Sequence, residues 1–485
     1  MRSTAPARRA PAPGAGGRSR RSAAILAVAA AALLLALAAC APSGSPAPSC
    51  SPAVGPSAAA GPAACRTAAP RALPLKPTPS PTPTAGDLPD GSALVPLDGD
   101  SSDVGPTSVM TAKASAADPP SIDVATTAVN GTAVRSTDDS IAPPSAGTVS
   151  GWVIGTQHDR SAAVSGAVVR TVHTDASGLA PEAWTTTVQA FTPGSGLVGD
   201  PVALRQCTTA SCELHGTARF GPVALVDYRP DDGGPSNRVL ALDLATGATV
   251  WSRDDAALAT FSATSAVLRR ADGEGNGGAE HPVTAVDPAT GHVRWRFADR
   301  DHDPAEELGP VLSEQYAVIT SEDENDPQPR SNLVDLTDGH VVAVRYGDGS
   351  WAYDPAESRV VVSGTAGTAY ADPDLTVLST TGAIVYGISH ARYEALGSPP
   401  VIGAVDGRAW IPASSTVDAF DTATGEQDPG SPAVTGDTGL LFPKRYDGAA
   451  ISVGDQGSDS GGAVLLDPAG VPSYAAFTAL RLPAE

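Results

Sequence analysis

The residue with the clearest chemical context is Cys40, whose thiol follows an apolar run over residues 23–39. The charged residues before that run are all arginines: Arg2, Arg8, Arg9, Arg18, Arg20 and Arg21. A basic start, an apolar stretch and small residues before a cleavage point are the parts of a secretory signal. The apolar stretch is short for a spanning helix, which needs about 20 residues. The pattern predicts a signal peptide over residues 1–39.

The last residues of this segment, Leu37-Ala38-Ala39-Cys40, resemble the lipobox of bacterial lipoproteins. The resemblance implies diacylglycerol on the Cys40 thiol and cleavage before Cys40. It also implies a location on the outer face of the cytoplasmic membrane, with the chain extending into the cell wall. Stable anchoring takes more than one acyl chain. An ordinary signal peptide and an uncleaved anchor remain as alternatives.

The other cysteines suit an oxidising compartment. Cys207 and Cys212 flank four small residues, which predicts a small loop disulfide in an exported protein. The alternative is two buried or free thiols. Cys50 and Cys65 either pair with each other or stay free. Nothing in these spacings indicates a metal–thiolate site, so we expect no bound metal.

Catalytic motifs are weak in this sequence. The segment Asp459-Ser460-Gly461-Gly462 resembles the nucleophile segment of trypsin-like proteases. That chemistry needs a histidine base oriented by an acid, and none of the eight histidines stands in a matching context. The sequence also contains no His-Glu-x-x-His motif and no P-loop. We therefore expect a loop here and a protein that is not an enzyme.

The region after Cys40 is rich in Ala, Pro, Ser, Thr and Gly, with alternating prolines over residues 77–84. Such a composition favours extended polyproline II without a packed core. The first aromatic residue of the chain is Trp152. We predict a disordered tether over residues 40–145 and one folded domain over 146–485.

That folded domain contains a repeated Asp-x-x-x-Gly segment. The clearest copies begin and end at Asp243 and Gly247, Asp287 and Gly291, Asp335 and Gly339, and Asp421 and Gly425. Weaker copies end at Gly196, Gly382 and Gly470, so successive glycines lie 43 to 51 residues apart. The Asp side chain can accept hydrogen bonds from turn N–H groups, and glycine supplies a positive φ. Units of this length with several short strands predict the four-stranded blades of a β-propeller.

In four units an aromatic residue stands four positions after the glycine: Trp251, Trp295, Tyr386 and Tyr474. We expect these side chains to pack between neighbouring blades. The two tryptophan units resemble the pyrroloquinoline-quinone-like propeller repeat, Ala-x-Asp-x-x-Thr-Gly-x-x-x-Trp. The resemblance implies an all-β propeller of four-stranded antiparallel blades, seven or eight in number. Seven repeat glycines favour seven, and the segment 148–170 could complete an eighth.

Quinoprotein dehydrogenases of this repeat family typically carry adjacent cysteines, calcium ligands and a catalytic Asp in extra loops. This chain has no adjacent cysteines, and its units lack long insertions, so we expect no cofactor. The net charge of −22 repels nucleic acid and suits a basic partner. Acidic or glycine-rich loops precede several repeat turns, at residues 231–234, 272–278, 322–326 and 455–462. They could form one acidic face for such a partner or for calcium, or could be merely solvated.

Two functions follow. The first is a lipid-anchored extracytoplasmic protein whose propeller is a non-catalytic protein-binding or scaffold module. The alternative is a small-ligand sensor or a quinoprotein-type enzyme that uses the central channel. The sequence does not identify the partner, the ligand or the pathway.

Overall fold

The structure is a computed structural model. It describes residues 88 to 470, with gaps at 89–90, 98, 116–120, 143–146, 160–163, 178–180, 232–236, 271–282, 298–304, 324–325, 348, 366–371, 373, 396–400, 402, 414–415, 427–433, 436–441 and 455–461. Within these residues, no helix is long and apolar enough to cross a membrane. The predicted signal peptide, Cys40, Cys50, Cys65 and Tyr474 lie outside the described residues.

Eight four-stranded sheets form the blades of a β-propeller, which we number I to VIII along the chain. The strands of blades I to IV are β2 (Ser101–Val104), β3 (Ser108–Ala114), β4 (Ile122–Asn130) and β5 (Ala133–Ile141); β6 (Thr148–Thr156), β7 (Gly166–Thr174), β8 (Ala183–Thr192) and β9 (Gly196–Ala203); β10 (Glu213–Phe220), β11 (Val223–Arg229), β12 (Arg238–Asp243) and β13 (Thr249–Asp254); and β14 (Ala256–Phe261), β15 (Ala266–Arg270), β16 (Thr284–Val286) and β17 (Val293–Arg296).

Blades V to VII follow in the same way, and blade VIII takes its fourth strand from the beginning of the domain. Their strands are β18 (Ala305–Val311), β19 (Tyr316–Asp323), β20 (Asp326–Asp335) and β21 (Val341–Tyr346); β22 (Trp351–Asp354), β23 (Arg359–Gly364), β24 (Asp374–Ser379) and β25 (Ile384–Ile388); β26 (Gly403–Val405), β27 (Arg408–Ala413), β28 (Thr416–Asp421) and β29 (Val434–Thr435); and β30 (Phe442–Asp447), β31 (Ala450–Gly454), β32 (Gly462–Leu466) and β1 (Ala93–Pro96). One short helix, α1 (His390–Ala395), follows β25.

Within each blade, neighbouring strands pair antiparallel, so the chain runs up and down through every sheet. The ring closes where β1 pairs with β32, with Ala93 opposite Leu466 and Pro96 opposite Ala463. This pairing gives the outer edge of blade VIII a hydrogen-bonded partner from the other end of the domain. The closure joins segments that lie almost the whole domain apart in sequence.

The prediction of an all-β propeller with four-stranded antiparallel blades is confirmed, and the number of blades is eight. The preference for seven blades was wrong, and β6 and the start of β7 in the segment 148–170 belong to blade II instead of completing an eighth blade. The seven repeat glycines mark every blade except the first. They lie at the turns between the third and fourth strand positions of blades II to VIII, whereas blade I turns through Asn130-Gly131. Asn-Gly is a favoured pair for tight hairpins because both residues tolerate a positive φ.

The predicted boundary at residue 146 is wrong, because β1 to β5 lie within residues 93–141. Blade I lacks aromatic residues, which made its sequence look unable to form a core. It buries Val109, Met110, Ile122 and Val124 instead, against side chains of blade II and blade VIII. Aliphatic side chains at alternate strand positions are sufficient because neighbouring blades supply the opposing surface. The part of the predicted tether before residue 88 lies outside the described residues and stays a prediction.

Alternation along the strands places side chains in two successive interfaces. In β15, Ala266 and Leu268 pack with blade III, whereas the intervening Val267 packs with blade V. Hydrophobic clusters therefore lie between the blades, and each cluster takes side chains from two neighbours.

The up-and-down course gives the propeller two distinct ends. Turns between strands one and two and between strands three and four lie at one end, which we call the turn side. Connections between strands two and three and between successive blades lie at the other end, which we call the loop side. The recurring Asp-x-x-x-Gly turns are on the turn side. The strands that flank the four acidic segments end on the loop side, and most residues of the segments themselves lie outside the described part.

Candidate functional site

Ionisable groups from the innermost strands of three different blades interact near the propeller axis. Asp103 is on β2, His158 follows β6, and Asp447 ends β30. We call these three residues the axial cluster. His158 and Asp447 are each only 2% exposed. Because every innermost strand ends on the turn side, residues from blades I, II and VIII meet there.

Asp103 and His158 are joined directly. The Nε2 atom of His158 lies 3.3 Å from Oδ2 of Asp103. The backbone N–H and the hydroxyl of Thr156 both donate to that same Oδ2, each at 2.6 Å. Burial alone would raise the pKa of Asp103, but the hydrogen bond and charge of His158 and the bonds from Thr156 hold it below its usual value.

The pKa of Asp447 is shifted in the opposite direction. Burial raises its pKa to about 6, while Arg445 and His158 act against the rise. The negative charges of Glu314 and Asp103 add to the rise. The Nη2 atom of Arg445 lies 3.4 Å from Oδ2 of Asp447. The axial cluster therefore holds one firmly ionised carboxylate and one that can take up a proton near neutral pH.

Aromatic rings surround these groups. The ring of His158 stacks on Phe261 of blade IV, with ring centroids 4.2 Å apart. On the opposite side of the axis, Tyr353 lies edge-on to Tyr446 at 6.0 Å. The backbone N–H of Tyr446 donates to the carbonyl of Leu312 at 3.2 Å, which joins blade VIII to the non-adjacent blade V. These contacts fill the turn-side end of the channel, at least among the described residues.

The chemistry of the axial cluster is acid–base and structural. Its carboxylates accept hydrogen bonds from the protein itself, and the hydroxyl beside His158 is that of Thr156, whose Oγ1 lies 3.4 Å from Nε2. Pyrroloquinoline quinone, the cofactor of the repeat family that the sequence resembles, carries three carboxylates and would need cationic partners. In the axial cluster the cationic group of Arg445 already lies 3.4 Å from Asp447, and His158 lies 3.3 Å from Asp103, so both face carboxylates of the protein itself. These residues do not fit that cofactor.

One other group brings potential metal ligands together in the described part of the chain: Asp335, Asp338 and His340. The Nδ1 atom of His340 lies 2.6 Å from Oδ1 of Asp338, within the exposed repeat turn of blade V. Asp335 in turn accepts the backbone N–H of Thr337 at 2.8 Å. These are the contacts of a turn, and we assign no metal to them.

The repeat-turn residues occupy equivalent places in their blades. Oδ1 of Asp243 accepts the N–H groups of Ala245 and Thr246, at 2.9 and 2.8 Å. These bonds lower the pKa of Asp243, and the bond from Thr246 has the largest effect. Asp287 and Asp421 bind their own turns in the same way. The turn glycines have positive φ at Gly247, Gly291, Gly339 and Gly425.

Two predicted packing residues bridge blades through their indole rings. Nε1 of Trp251 donates to the carbonyl of Pro288 at 2.8 Å, and the ring covers Gly291. Trp295 similarly covers Gly339 of the following blade. Tyr386 lies against Gly425. The fourth predicted packing residue, Tyr474, lies outside the described residues. In its blade, blade VIII, the outer strand beside β32 is β1.

The structure joins Cys207 and Cys212 in a disulfide, with Cα atoms 5.3 Å apart. The bond lies in the connection from β9 to β10, on the loop side. The protease-like residues Asp459 and Ser460 lie outside the described residues. Sequence patterns gave no indication of the axial cluster, because its members come from three blades and share no motif.

Comparison with protein-family models found no match, and comparison with curated proteins found none either. Solved structures gave only distant similarity. A europium-containing methanol dehydrogenase is 11% identical, with a TM-score of 0.31 over 75% of this chain and 84% of that chain. The quinohemoprotein alcohol dehydrogenase from Comamonas testosteroni is 11% identical, with a TM-score of 0.34 over 79% and 77%.

The β-propeller domain of the Trilobed protease from Pyrococcus furiosus is 10% identical, with a TM-score of 0.31 over 64% of this chain and 90% of that chain. At these values the similarity carries no argument about activity, and a propeller by itself does not establish one. The fold assignment rests on the eight sheets of the chain itself: this protein is an eight-bladed β-propeller.

Proposed function

We propose that the chain is an extracytoplasmic lipoprotein, anchored through Cys40, whose propeller is a non-catalytic binding module that docks a protein partner on its loop side. The observation that carries this proposal is where the chain reaches the propeller. The carbonyl of Gly91 accepts the N–H of Val134 at 3.1 Å, and Gly91 lies beside Pro468. Both neighbours belong to the turn side, so the segment from Cys40 would arrive there.

A second observation supports the same orientation. The axial cluster and its aromatic neighbours fill the turn-side end of the channel, and their polar groups bind one another. The loop side lies at the opposite end from both the incoming chain and this filled channel. The strands that flank the acidic segments of the sequence also end there, and the net charge of −22 suits a partner with a basic surface.

Docking on the loop side can be tested with a photo-crosslinking residue in the full-length chain in intact cells. Ala142 and Ala210 are exposed on the loop side, and Ala245 is a matched exposed alanine in a turn-side repeat. We expect protein adducts from Ala142 or Ala210 that weaken as salt is added before irradiation, and none from Ala245. Adducts from Ala245 alone, or from none of the three, would contradict the proposal.

The anchor has its own test. Cys40→Ala should abolish incorporation of a labelled fatty acid and release the protein from the membrane fraction. Cys50→Ala, a nearby cysteine in the same polar region, should leave both unchanged. Continued acylation of the Cys40→Ala protein would refute the lipoprotein assignment while leaving the docking proposal intact.

A second candidate function, sensing of a small ligand at the channel, is favoured by one observation. The pKa of Asp447 is raised to about 6 by burial, and perturbed groups of this kind cluster at functional sites. Its test is a thermal-shift series with calcium, a quinone and simple sugars on the full chain. A shift that Asp447→Asn removes would support sensing, and the absence of any shift would leave protein docking as the function to pursue.

A further inference from the structure

The fourth strand of blade VIII comes from the other end of the domain, and its side chains differ from those of the other outer strands. In three blades the outer strand places an aromatic ring against the turn glycine of the next blade: Trp251 against Gly291, Trp295 against Gly339 and Tyr386 against Gly425. In blade VIII the equivalent residue is Val95. A Cβ at Gly131, the turn glycine of blade I, would meet no atom within 4 Å. In the described part of the chain, the interface between blades VIII and I therefore lacks this aromatic contact.

The register shows that Val95 and the aromatic residues are equivalent. Val464 in blade VIII and Ala241 in blade III each pair with the third residue of the second strand in their own blade. On their other side, Val464 faces Val95 and Ala241 faces Trp251. Both outer strands run antiparallel to the third strand. The strand β1 therefore occupies the same place in blade VIII that β13 occupies in blade III.

This place is held weakly by β1. The strand has four residues, none of which is buried, and it ends at Pro96, which has no N–H to donate. Just before the strand, the hydroxyl of Ser92 is buried without a hydrogen-bond partner, which costs free energy. The pairing of β1 with β32 also closes a loop of almost the whole domain, whereas a strand that followed β32 directly would close only a tight turn.

The sequence that follows β32 suits the same place. After Gly470 it reads Val-Pro-Ser-Tyr-Ala-Ala-Phe over residues 471–477, which we call the tail. Tyr474 stands ten residues after Val464, and the same spacing separates each tryptophan of blades III and IV from the third-strand residue that it faces. Pro472 falls where the register of blade III shifts, and an outer strand tolerates a proline at such an irregularity. The tail lies outside the described residues, so this equivalence is one of sequence spacing.

We infer that the tail is an alternative fourth strand of blade VIII, which replaces β1 when the chain before blade I is drawn away from the propeller. One edge of β32 is covered by β31, so β1 and the tail compete for the other edge. In the exchanged form Tyr474 takes the place of Val95, and the hydrogen bond from Val134 to the Gly91 carbonyl is broken. Blade VIII then keeps four strands after β1 has left. This inference depends neither on a lipid anchor nor on a protein partner.

The test compares the full-length chain with a chain that ends at Gly470, each with and without Val95→Asp. Val95 packs against the hydrophobic cluster between blades VIII and I, so the carboxylate destabilises the form closed by β1. The exchanged form leaves residue 95 in solvent and escapes this cost. We expect the drop in melting temperature caused by Val95→Asp to be at most half as large in the full-length chain as in the shortened one.

The matched control is Val342→Asp. Val342 is also half-buried on an outer strand, where it packs against the cluster between blades V and VI. The tail does not compete for that place, so the drop in melting temperature should be the same at both chain lengths. Val95→Thr is a milder substitution that gives the same comparison if the aspartate prevents folding.

A second variant tests the ring itself. In the full-length Val95→Asp chain, Tyr474→Ala should remove the protection given by the tail, whereas Ser473→Ala should keep it. Hydrogen exchange reports the exchange of strands directly. Protection of the backbone amides of β32 should survive Val95→Asp at full length and fall at least tenfold in the shortened chain.

Two results would overturn the inference. The first is an equal drop in melting temperature at both chain lengths, because the tail then gives blade VIII no support. The second is protection of β32 that rises with protein concentration and is accompanied by dimers in light scattering. In that case the tail would come from a second copy of the chain instead of replacing β1 in its own blade.

Discussion

The indole Nε1 of Trp295 lies 2.9 Å from the carbonyl oxygen of Leu336, and this bond crosses from blade IV to blade V. The same ring packs over Gly339 in the repeat turn of blade V. A side chain of one repeat unit thus contacts the turn of the next unit. The repeat therefore stabilises the interface between blades as well as its own turn.

Truncation of this ring should be costly. Trp295→Ala removes a side chain that is 7% exposed and leaves the Leu336 carbonyl without its donor, so we expect a loss of about 3–5 kcal/mol in the free energy of unfolding. Urea denaturation followed by circular dichroism measures it. The control is Val250→Ala at an exposed outer-strand position, with a change within about 0.5 kcal/mol. Equal effects in the two variants would show that the ring is not an inter-blade anchor.

A pair of glycines separates the cost of φ from the cost of contact. Gly291 and Gly196 have nearly equal φ values of 68° and 69°. A Cβ at Gly291 would lie 2.5 Å from Cγ of Trp251, whereas a Cβ at Gly196 would meet no atom within 4 Å. Gly196→Ala should cost about 1–2 kcal/mol, and Gly291→Ala about 1–3 kcal/mol more.

The contact component has its own check in a double-mutant cycle. Adding Trp251→Ala to Gly291→Ala should recover part of the loss, because the clashing ring is gone. Strict additivity in thermal or urea unfolding would mean that the ring and the turn do not interact.

Stability should depend on pH through Asp447. Its pKa is about 6 in the folded protein against an ordinary value of 3.8 for an aspartate, so the folded state holds the proton more tightly. Below about pH 4 both states are protonated. As pH rises from about 4 to above 6, this group lowers the free energy of unfolding by up to about 3 kcal/mol.

Asp447→Asn should flatten that part of the profile, as urea unfolding between pH 4 and 7.5 would measure. Some slope remains because burial also raises the pKa of Asp227 to about 6. Asp103 acts in the opposite sense and only in more acidic solution, because its pKa is lowered. The exposed Asp200→Asn is the control. An unchanged profile in Asp447→Asn would contradict the assignment.

The loop disulfide should contribute modestly. Replacing Cys207 and Cys212 by serine opens a short loop, for which chain entropy gives a loss of about 2 kcal/mol. Cys207 is also fully buried in the cluster between blades II and III. Because a polar serine is unfavourable at this buried position, the loss of stability should persist in reducing buffer. The paired control is serine at Cys50 and Cys65. Unfolding curves identical to the control would show that the bond is dispensable.

Local chemistry made part of this fold predictable. The Asp243 and Gly247 turn depends on hydrogen bonds and φ within five residues, and such signals are visible in sequence. Blade I was harder to predict from the sequence. Its one comparable turn signal is Asn130-Gly131, which lies in a segment poor in aromatic residues. The pairing of β1 with β32 has no local signal, since it depends on which strand remains unpaired when the ring is complete.

The axial cluster could not be predicted for a related reason. Asp103 and Thr156 are 53 residues apart, and Asp447 belongs to the last blade. Each looks like an ordinary strand-end residue until the blades are arranged around one axis.

The closure by β1 has a mechanical consequence. Any pull on the chain before residue 88 reaches the propeller along β1, in line with the strand axis. In this shear geometry the hydrogen bonds to β32, from Ala93 opposite Leu466 to Pro96 opposite Ala463, resist together instead of opening one by one. A domain held on a membrane by such a chain would transmit tension directly to the pairing of β1 with β32, and the first event under sufficient force would be separation of β1 from the rest of blade VIII.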